Sequence, residues 1–177
     1  SDVCSSDLTI MKEEDLLKIQ KKFLTHTMGQ SQSNYLLKDD EELTKRLIKR
    51  LIGNSIYLKK KAGDAEKCLS KIIKLASTDN LQNTRFEKTI RHRENLGITS
   101  TYTGIALPHA NPKEVKTSEL IMMTLDKPVY WGQNLVKVVM LIAIAEKELE
   151  IYKDALKVLY SKIDSSSYIQ HLWEAEN

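Results

Sequence analysis

The spacing of apolar positions along the chain switches between the period of helices and the period of strands. Apolar residues three and four positions apart predict amphipathic helices over residues 40–52, 64–76, 84–95 and 148–163, and a short one after 165–167. Alternating or continuous apolar runs predict strands over residues 55–60, 104–108, 119–125 and 135–145. Strands flanked by helices predict an α/β domain, with a mixed β-sheet covered by helices on both faces.

The N-terminal part of the chain has a different character from this domain. Residues 1–8, SDVCSSDL, match letter for letter the translation of a sequencing adapter, and we exclude them as non-native. Residues 9–26 carry another amphipathic helical pattern, and the polar stretch 27–40 predicts a linker. The main domain is therefore expected over residues 41–177. We also expect the native protein to begin further upstream and the last helix to be incomplete.

Composition narrows the class of protein. Charged residues make up 29% of the chain and the net charge is only +3, which argues against a dedicated nucleic-acid face. No apolar run is long enough to cross a membrane, so we expect no membrane insertion. Outside residues 1–8, Cys68 is the only cysteine, and it falls on the apolar face of a predicted helix. A buried thiol, no disulfide and no signal peptide indicate a reducing cytoplasm.

His109 is the main candidate for chemistry, because it follows an apolar strand and a proline. Such a position delivers an imidazole to the edge of a sheet, where it can act as a base, a metal ligand or a phosphoryl acceptor. His26, His92 and His171 lie too far apart for a recognisable metal-binding spacing, so no metal is expected. If His109 were the base of a hydrolase, the chain would need a nucleophile motif such as GxSxG, and the sequence contains none. The spacing alone leaves a structural role for His109 open.

Cationic and hydroxyl side chains precede this histidine. Arg93, Thr99, Ser100 and Thr103 are donors that could stabilise the charge of a phosphoryl group in transfer. The alternative is a solvated helix end, where arginine is favourable in any case. Trp131, in a turn-like VYWG stretch, is interpreted as a packing residue.

The segment R-E-N-L-G-x-T-S-x-x-x-G-I-A-L-P-H, residues 93–109, resembles a known signature. It is similar to the active-site text of type 2 enzyme IIA domains (mannitol/fructose class) of the bacterial phosphoenolpyruvate:sugar phosphotransferase system. The likeness extends over about residues 51–177. It implies that His109 accepts a phosphoryl group from phospho-HPr and that Arg93 steadies the phosphate. It implies supporting contacts from Thr99, Ser100 and Thr103, and no cofactor.

Two departures from the family pattern suggest a regulatory context. The stretch AEKELEIYKDAL lacks the second histidine of transport members, and Leu149 or a neighbour takes its place. Tyr102 and Thr103 replace the common Gly-Asn. These features resemble the C-terminal IIA domains of BglG/LicR/MtlR-type antiterminators and activators with phosphotransferase-regulated domains (PRDs), and residues 9–26 resemble the last helix of the IIB-like domain before them.

The resemblance therefore implies a phosphohistidine domain that regulates transcription rather than a turnover enzyme. Its expected partners are phospho-HPr, an EIIB domain, and upstream PRD and helix-turn-helix domains in the full-length protein, with no direct contact of this fragment to nucleic acid. One alternative is an EIIA component that relays phosphate to EIIB during sugar uptake. Another is a degenerate interaction module that is never phosphorylated.

Overall fold

The computed structural model describes residues 33–176, with side chains from residue 41 onward. In this part the chain forms six α-helices and four β-strands. In chain order they are α1 Ser33–Ile52, β1 Ile56–Lys60, α2 Ala65–Lys74, α3 Thr78–Leu81, α4 Thr84–Leu96, β2 Ile105–Ala106, β3 Glu119–Trp131, β4 Asn134–Ala143, α5 Leu149–Ile163 and α6 Ser166–Glu174. Single 3₁₀ turns lie at Pro112–Glu114 and Glu146–Glu148.

The four strands form one mixed sheet in the order β1-β3-β4-β2. The central pair β3 and β4 is antiparallel, whereas β1 pairs with β3 and β2 pairs with β4 in parallel. Residues 120–123 of β3 and 138–143 of β4 are continuous apolar runs, as expected where both faces of the sheet are covered. The predicted α/β class and its mixed sheet are confirmed.

Helices bury the two faces of the sheet in separate apolar cores. On one face, α2 and α4 contribute Cys68, Ile72, Phe86 and Ile90 to the first core. On the other face, α1, α5 and α6 contribute residues such as Leu51, Leu156 and Ile169. This packing confirms the prediction that helices cover both faces of the sheet. Burial also raises the pKa of the Cys68 thiol to about 11, in keeping with a structural thiol.

The element bounds differ from the sequence predictions most in helices α1 and α2 and in strands β2 and β3. Helix α1 begins at Ser33, within the predicted linker, and α2 ends at Lys74 because a separate helix, α3, starts after a Ser77 cap. Strand β2 is confined to Ile105–Ala106. Strand β3 continues past residue 125 to Trp131, since an irregularity between Thr124 and Val129 absorbs Pro128, which cannot donate a ladder hydrogen bond. Residues 1–8, 9–26 and the first part of 27–40 lie outside the described residues.

Candidate functional site

The backbone of His109 continues the sheet beside the carboxyl end of β4. The amide of Ile142 donates to the Pro108 carbonyl at 2.9 Å, and the amide of Ala110 donates to the Ile142 carbonyl at 3.1 Å. These two bonds make His109 the centre of a parallel bridge to β4. The histidine therefore sits at the sheet edge, as the strand–Pro–His pattern predicts.

The imidazole of His109 is buried and holds its proton on a defined nitrogen. Only 7% of the residue is exposed. Nδ1 lies 3.0 Å from the carbonyl oxygen of Leu107 and donates to it, since a carbonyl can only accept. Among the residues that the structure describes, Nε2 has no hydrogen-bond partner. This tautomer leaves the Nε2 lone pair as the nucleophilic position of the ring.

Burial keeps this imidazole neutral. The pKa of His109 lies below its ordinary value of 6.5, first because burial penalises the charged form. The hydrogen bond to Leu107 and the charge of Glu94 raise the pKa, while the charge of Arg93 lowers it, and the net shift is downward. A neutral imidazole with a free lone pair can attack an electrophile such as a phosphoryl group.

We expect this lowered pKa to appear as a loss of stability in acid. The folded chain binds a proton at His109 at a lower pH than the unfolded chain, which binds it near pH 6.5. The contribution of His109 to the free energy of unfolding is therefore full above pH 6.5 and declines as the pH falls toward the folded-state pKa. Urea unfolding of the wild type and of His109→Gln at a series of pH values measures this contribution as the difference between their free energies of unfolding. Parallel stability curves for the two proteins below pH 6.5 would contradict the prediction.

Arg93 lies in the last turn of α4, on the approach to His109. Its Nη1 donates to the carbonyl of Gly97, the residue that ends the helix, at 2.7 Å. Its positive charge lowers the pKa of His109, although by less than burial does. No other hydrogen bond of this guanidinium occurs within the described residues, so its remaining N–H groups can bind an anion. A direct role of Arg93 in holding a phosphate at His109 stays a prediction.

The hydroxyl groups that precede the histidine are engaged within the protein. Thr99 Oγ1 donates to Glu94 Oε2 at 2.8 Å, and Ser100 Oγ donates to the Trp131 carbonyl at 2.8 Å. Thr103 Oγ1 donates to the carbonyl of Ile163, at the end of α5, at 2.8 Å. The bonds of Thr99 and Ser100 hold the loop of residues 97–103 in place. The bond of Thr103 connects that loop to the end of α5. Direct support of a phosphate by Thr99, Ser100 and Thr103 stays a prediction.

Sequence reasoning did not select Glu94 or Trp131 as functional residues. The carboxylate of Glu94 accepts the indole N–H of Trp131 at 2.7 Å, and Trp131 is only 2% exposed. Glu94 follows Arg93 in the R-E-N-L signature, which was the available signal. Trp131 is buried, as a packing residue would be, and it also contributes a polar contact.

Neither His92 nor His171 joins His109 in a metal-binding cluster within the described residues. In residues 33–176, no group of three or more His, Cys, Asp or Glu side chains is placed to hold a metal ion. His92 is exposed on α4, His171 lies on α6, and His26 lies outside the described residues. In the same part of the chain, no helix is both long and apolar enough to span a membrane.

Solved structures share this fold. IIA-Ntr from Neisseria meningitidis superposes with a TM-score of 0.64 at 19% identity, covering 74% of this chain and 93% of that one. IIA-mannitol from Escherichia coli, in its complex with phosphorylated IIB-mannitol, gives 0.58 at 17% identity, covering 71% and 89%. A putative IIA domain from Streptococcus pyogenes gives 0.59 at 19% identity, covering 76% and 89%. At these identities the likeness concerns the fold.

Sequence comparisons identify the family. The transcriptional regulator ManR of Bacillus subtilis is 31% identical over 85 residues, which are 48% of this chain and 13% of ManR, so the chain matches only a small part of that protein. The profile described as "Phosphoenolpyruvate-dependent sugar phosphotransferase system, EIIA 2" matches residues 49–177. The chain therefore belongs to the type 2 EIIA family of the phosphoenolpyruvate-dependent sugar phosphotransferase system.

Proposed function

We propose that this domain accepts a phosphoryl group from phospho-HPr on Nε2 of His109 and acts as the sugar-responsive part of a cytoplasmic transcriptional regulator or antiterminator. The observation that carries the proposal is the His109 ring: it is neutral and buried, it is held through Nδ1, and its Nε2 is unpaired within the described residues. Family membership supplies the reaction class.

The proposed step transfers phosphate between two nitrogen atoms. The lone pair of His109 Nε2 attacks phosphorus, the P–N bond to the histidine of HPr breaks, and the HPr nitrogen keeps the bonding electrons. The proton of His109 stays on Nδ1, where the Leu107 carbonyl holds the ring in place and stabilises its growing positive charge. The guanidinium of Arg93 balances the phosphoryl oxygens. Positioning and electrostatics supply the catalysis, with no group required beyond these residues.

The regulatory context has two supports. The curated relative is a transcriptional regulator, although the chain covers only 13% of it. In addition, α5 begins at Leu149 and carries no histidine, so the phosphoryl group has no second imidazole in that helix to assist onward transfer. Phosphorylation would then serve as a signal, because a dianionic group at the sheet edge changes how the domain packs on its neighbours.

The alternative is a relay of phosphate to an EIIB domain during sugar uptake. The fold is shared with IIA-mannitol, which was solved in complex with phosphorylated IIB-mannitol, and this favours the alternative. The two functions make different demands on the same phosphohistidine. A relay must pass the group on within turnover time, whereas a signal must persist.

The test is incubation of the domain with phosphoenolpyruvate, enzyme I and HPr, followed by intact mass and peptide mapping. We expect one acid-labile phosphate on the peptide that carries His109. The phosphodomain is then mixed with an EIIB domain, and we expect slow transfer, at least about 100-fold slower than loading from HPr. Rapid transfer to EIIB would replace the regulatory proposal with the relay. No phosphate on the wild type would refute both and leave a degenerate interaction module.

A further inference from the structure

Glu94 connects three parts of the chain in front of the candidate acceptor. Its Oε1 accepts the backbone N–H of Thr99 at 3.0 Å and the indole N–H of Trp131 at 2.7 Å. Its Oε2 accepts the hydroxyl of Thr99 at 2.8 Å. One carboxylate therefore binds the last turn of α4 to the following loop and to the end of β3.

A second set of contacts fixes the same loop to the same strand end. Ser100 Oγ donates to the Trp131 carbonyl at 2.8 Å, and the Asn134 side-chain amide donates to Ser100 Oγ at 3.0 Å and to its carbonyl at 3.2 Å. The loop is thus attached to the β3–β4 hairpin directly through the Trp131 carbonyl and the Asn134 side chain, whereas the Trp131 indole reaches it only by way of Glu94. The loop is also bonded to α4, because the backbone N–H and the hydroxyl of Thr99 both donate to the Glu94 carboxylate.

Along the chain, Glu94 and its loop lie between Arg93 and His109, the two groups that the proposed transfer requires. Arg93 precedes Glu94 on α4, and the loop of residues 97–103 leads from α4 into β2 and then to His109. The position of Arg93 relative to the imidazole therefore depends on how the loop is held. Errors of about 1 Å in such a placement can cost about 100-fold in rate.

We propose that Glu94 is a positioning residue for phosphoryl transfer: its carboxylate clamps loop 97–103 between α4 and the end of β3 and so holds Arg93 in register with His109. The inference rests on the proposed function of His109. Glu94 acts through its neighbours, because its described hydrogen bonds all run to donors of the protein itself. Trp131 is the buried anchor of the clamp.

Two substitutions of Glu94 separate positioning from charge. In Glu94→Gln the amide oxygen can replace Oε1 as acceptor for Thr99 and Trp131, while the amide nitrogen donates to Thr99 Oγ1, so the clamp persists without its charge. Glu94→Ala removes all three contacts. At saturating phospho-HPr we expect the alanine variant to be phosphorylated about 100-fold more slowly, with an unchanged KM for phospho-HPr. The glutamine variant should stay within about fivefold of the wild type.

A second variant does not depend on how well the alanine variant folds, and hydrogen exchange reports whether the alanine variant is folded. Trp131→Phe keeps an aromatic ring in the core and deletes one donor of the clamp, and we expect about a tenfold loss of rate. In the wild type, the Trp131 indole proton and the Thr99 amide proton should exchange slowly with solvent. In Glu94→Ala both should exchange rapidly, while the amides of β4 remain protected and report an intact sheet.

The outcomes separate this inference from the function on which it rests. A folded Glu94→Ala variant with the wild-type rate would overturn the inference alone, and so would rapid exchange of both protons in the wild type. A glutamine variant as slow as the alanine variant would assign the effect to charge and also overturn the clamp. If wild-type protein takes no phosphate while both protons stay protected, the proposed function fails and the transfer role of Glu94 fails with it.

Discussion

Replacing His109 by alanine should abolish phosphorylation by phospho-HPr. The variant lacks Nε2, the nitrogen that is free of hydrogen bonds within the described residues and whose lone pair points away from the proton on Nδ1. We expect no neighbouring hydroxyl, such as that of Thr99 or Ser100, to replace it, because an un-ionised hydroxyl is a much weaker nucleophile than a neutral imidazole. Intact mass after incubation with phosphoenolpyruvate, enzyme I and HPr should show no phosphate.

His92→Ala is the matched control for this experiment. It removes a histidine from the same signature region, but one that is exposed on α4. We expect this variant to take one phosphate at the wild-type rate. His109→Gln adds a second comparison, since glutamine fills more of the buried space than alanine while still lacking a nucleophilic nitrogen. Phosphate on either His109 variant would show that the acceptor lies elsewhere.

The position of His109 could be predicted because the information is local. An apolar strand followed by proline places the next side chain at a strand end, and the chain needs no distant contact to define that place. The burial of β4 could be predicted for a similar reason. Its residues 138–143 form an apolar run without polar interruption, as expected where helices cover both faces of a sheet.

The hydrogen bonds of the site could not be predicted, because they join residues far apart in the sequence. Thr103 bonds to Ile163, 60 positions away, and Glu94 bonds to Trp131, 37 positions away. These pairs follow from how the helices and the hairpin dock, which apolar periodicity does not specify. Phosphate contacts of the hydroxyl run stay a prediction, and the structure adds that Thr99 and Ser100 also donate to Glu94 and to the Trp131 carbonyl.

The end of strand β3 also differs from the sequence prediction, because a local irregularity lets the strand pass a proline. The stretch 126–131 contains Asp, Lys and Pro and reads as a turn, yet β3 passes through it to Trp131. The strand changes register between Thr124 and Val129, and pairing resumes at Val129 opposite Val136. Trp131 lies at the end of this continued strand and donates its indole N–H to Glu94. The predicted strand ended at residue 125 and therefore did not include this contact.

Replacing Arg93 by alanine should lower the rate of phosphorylation by about 1,000-fold. In transfer, negative charge is spread over the phosphoryl oxygens, and removal of one well-placed donor typically costs about 100- to 1,000-fold. The guanidinium fork of Arg93 makes one hydrogen bond within the described residues, from Nη1 to the Gly97 carbonyl. Its other N–H groups can therefore bind phosphoryl oxygens. Arg93→Lys keeps the charge without the fork and should recover part of the rate, leaving a deficit of about 30-fold. Single-turnover labelling from phospho-HPr measures both.

Arg91 offers a control two residues earlier on the same helix. Its guanidinium is engaged by Glu66, Glu87 and Ser70 on the surface between α2 and α4, so Arg91→Ala should leave the rate within about threefold of the wild type. An independent readout is the pKa of His109, which the charge of Arg93 lowers. It should rise in Arg93→Ala and stay unchanged in Arg91→Ala, as followed by NMR titration. Equal rate losses in the two variants would mean that a diffuse positive field, rather than Arg93 at the imidazole, receives the phosphoryl group, because both variants remove one positive charge from α4.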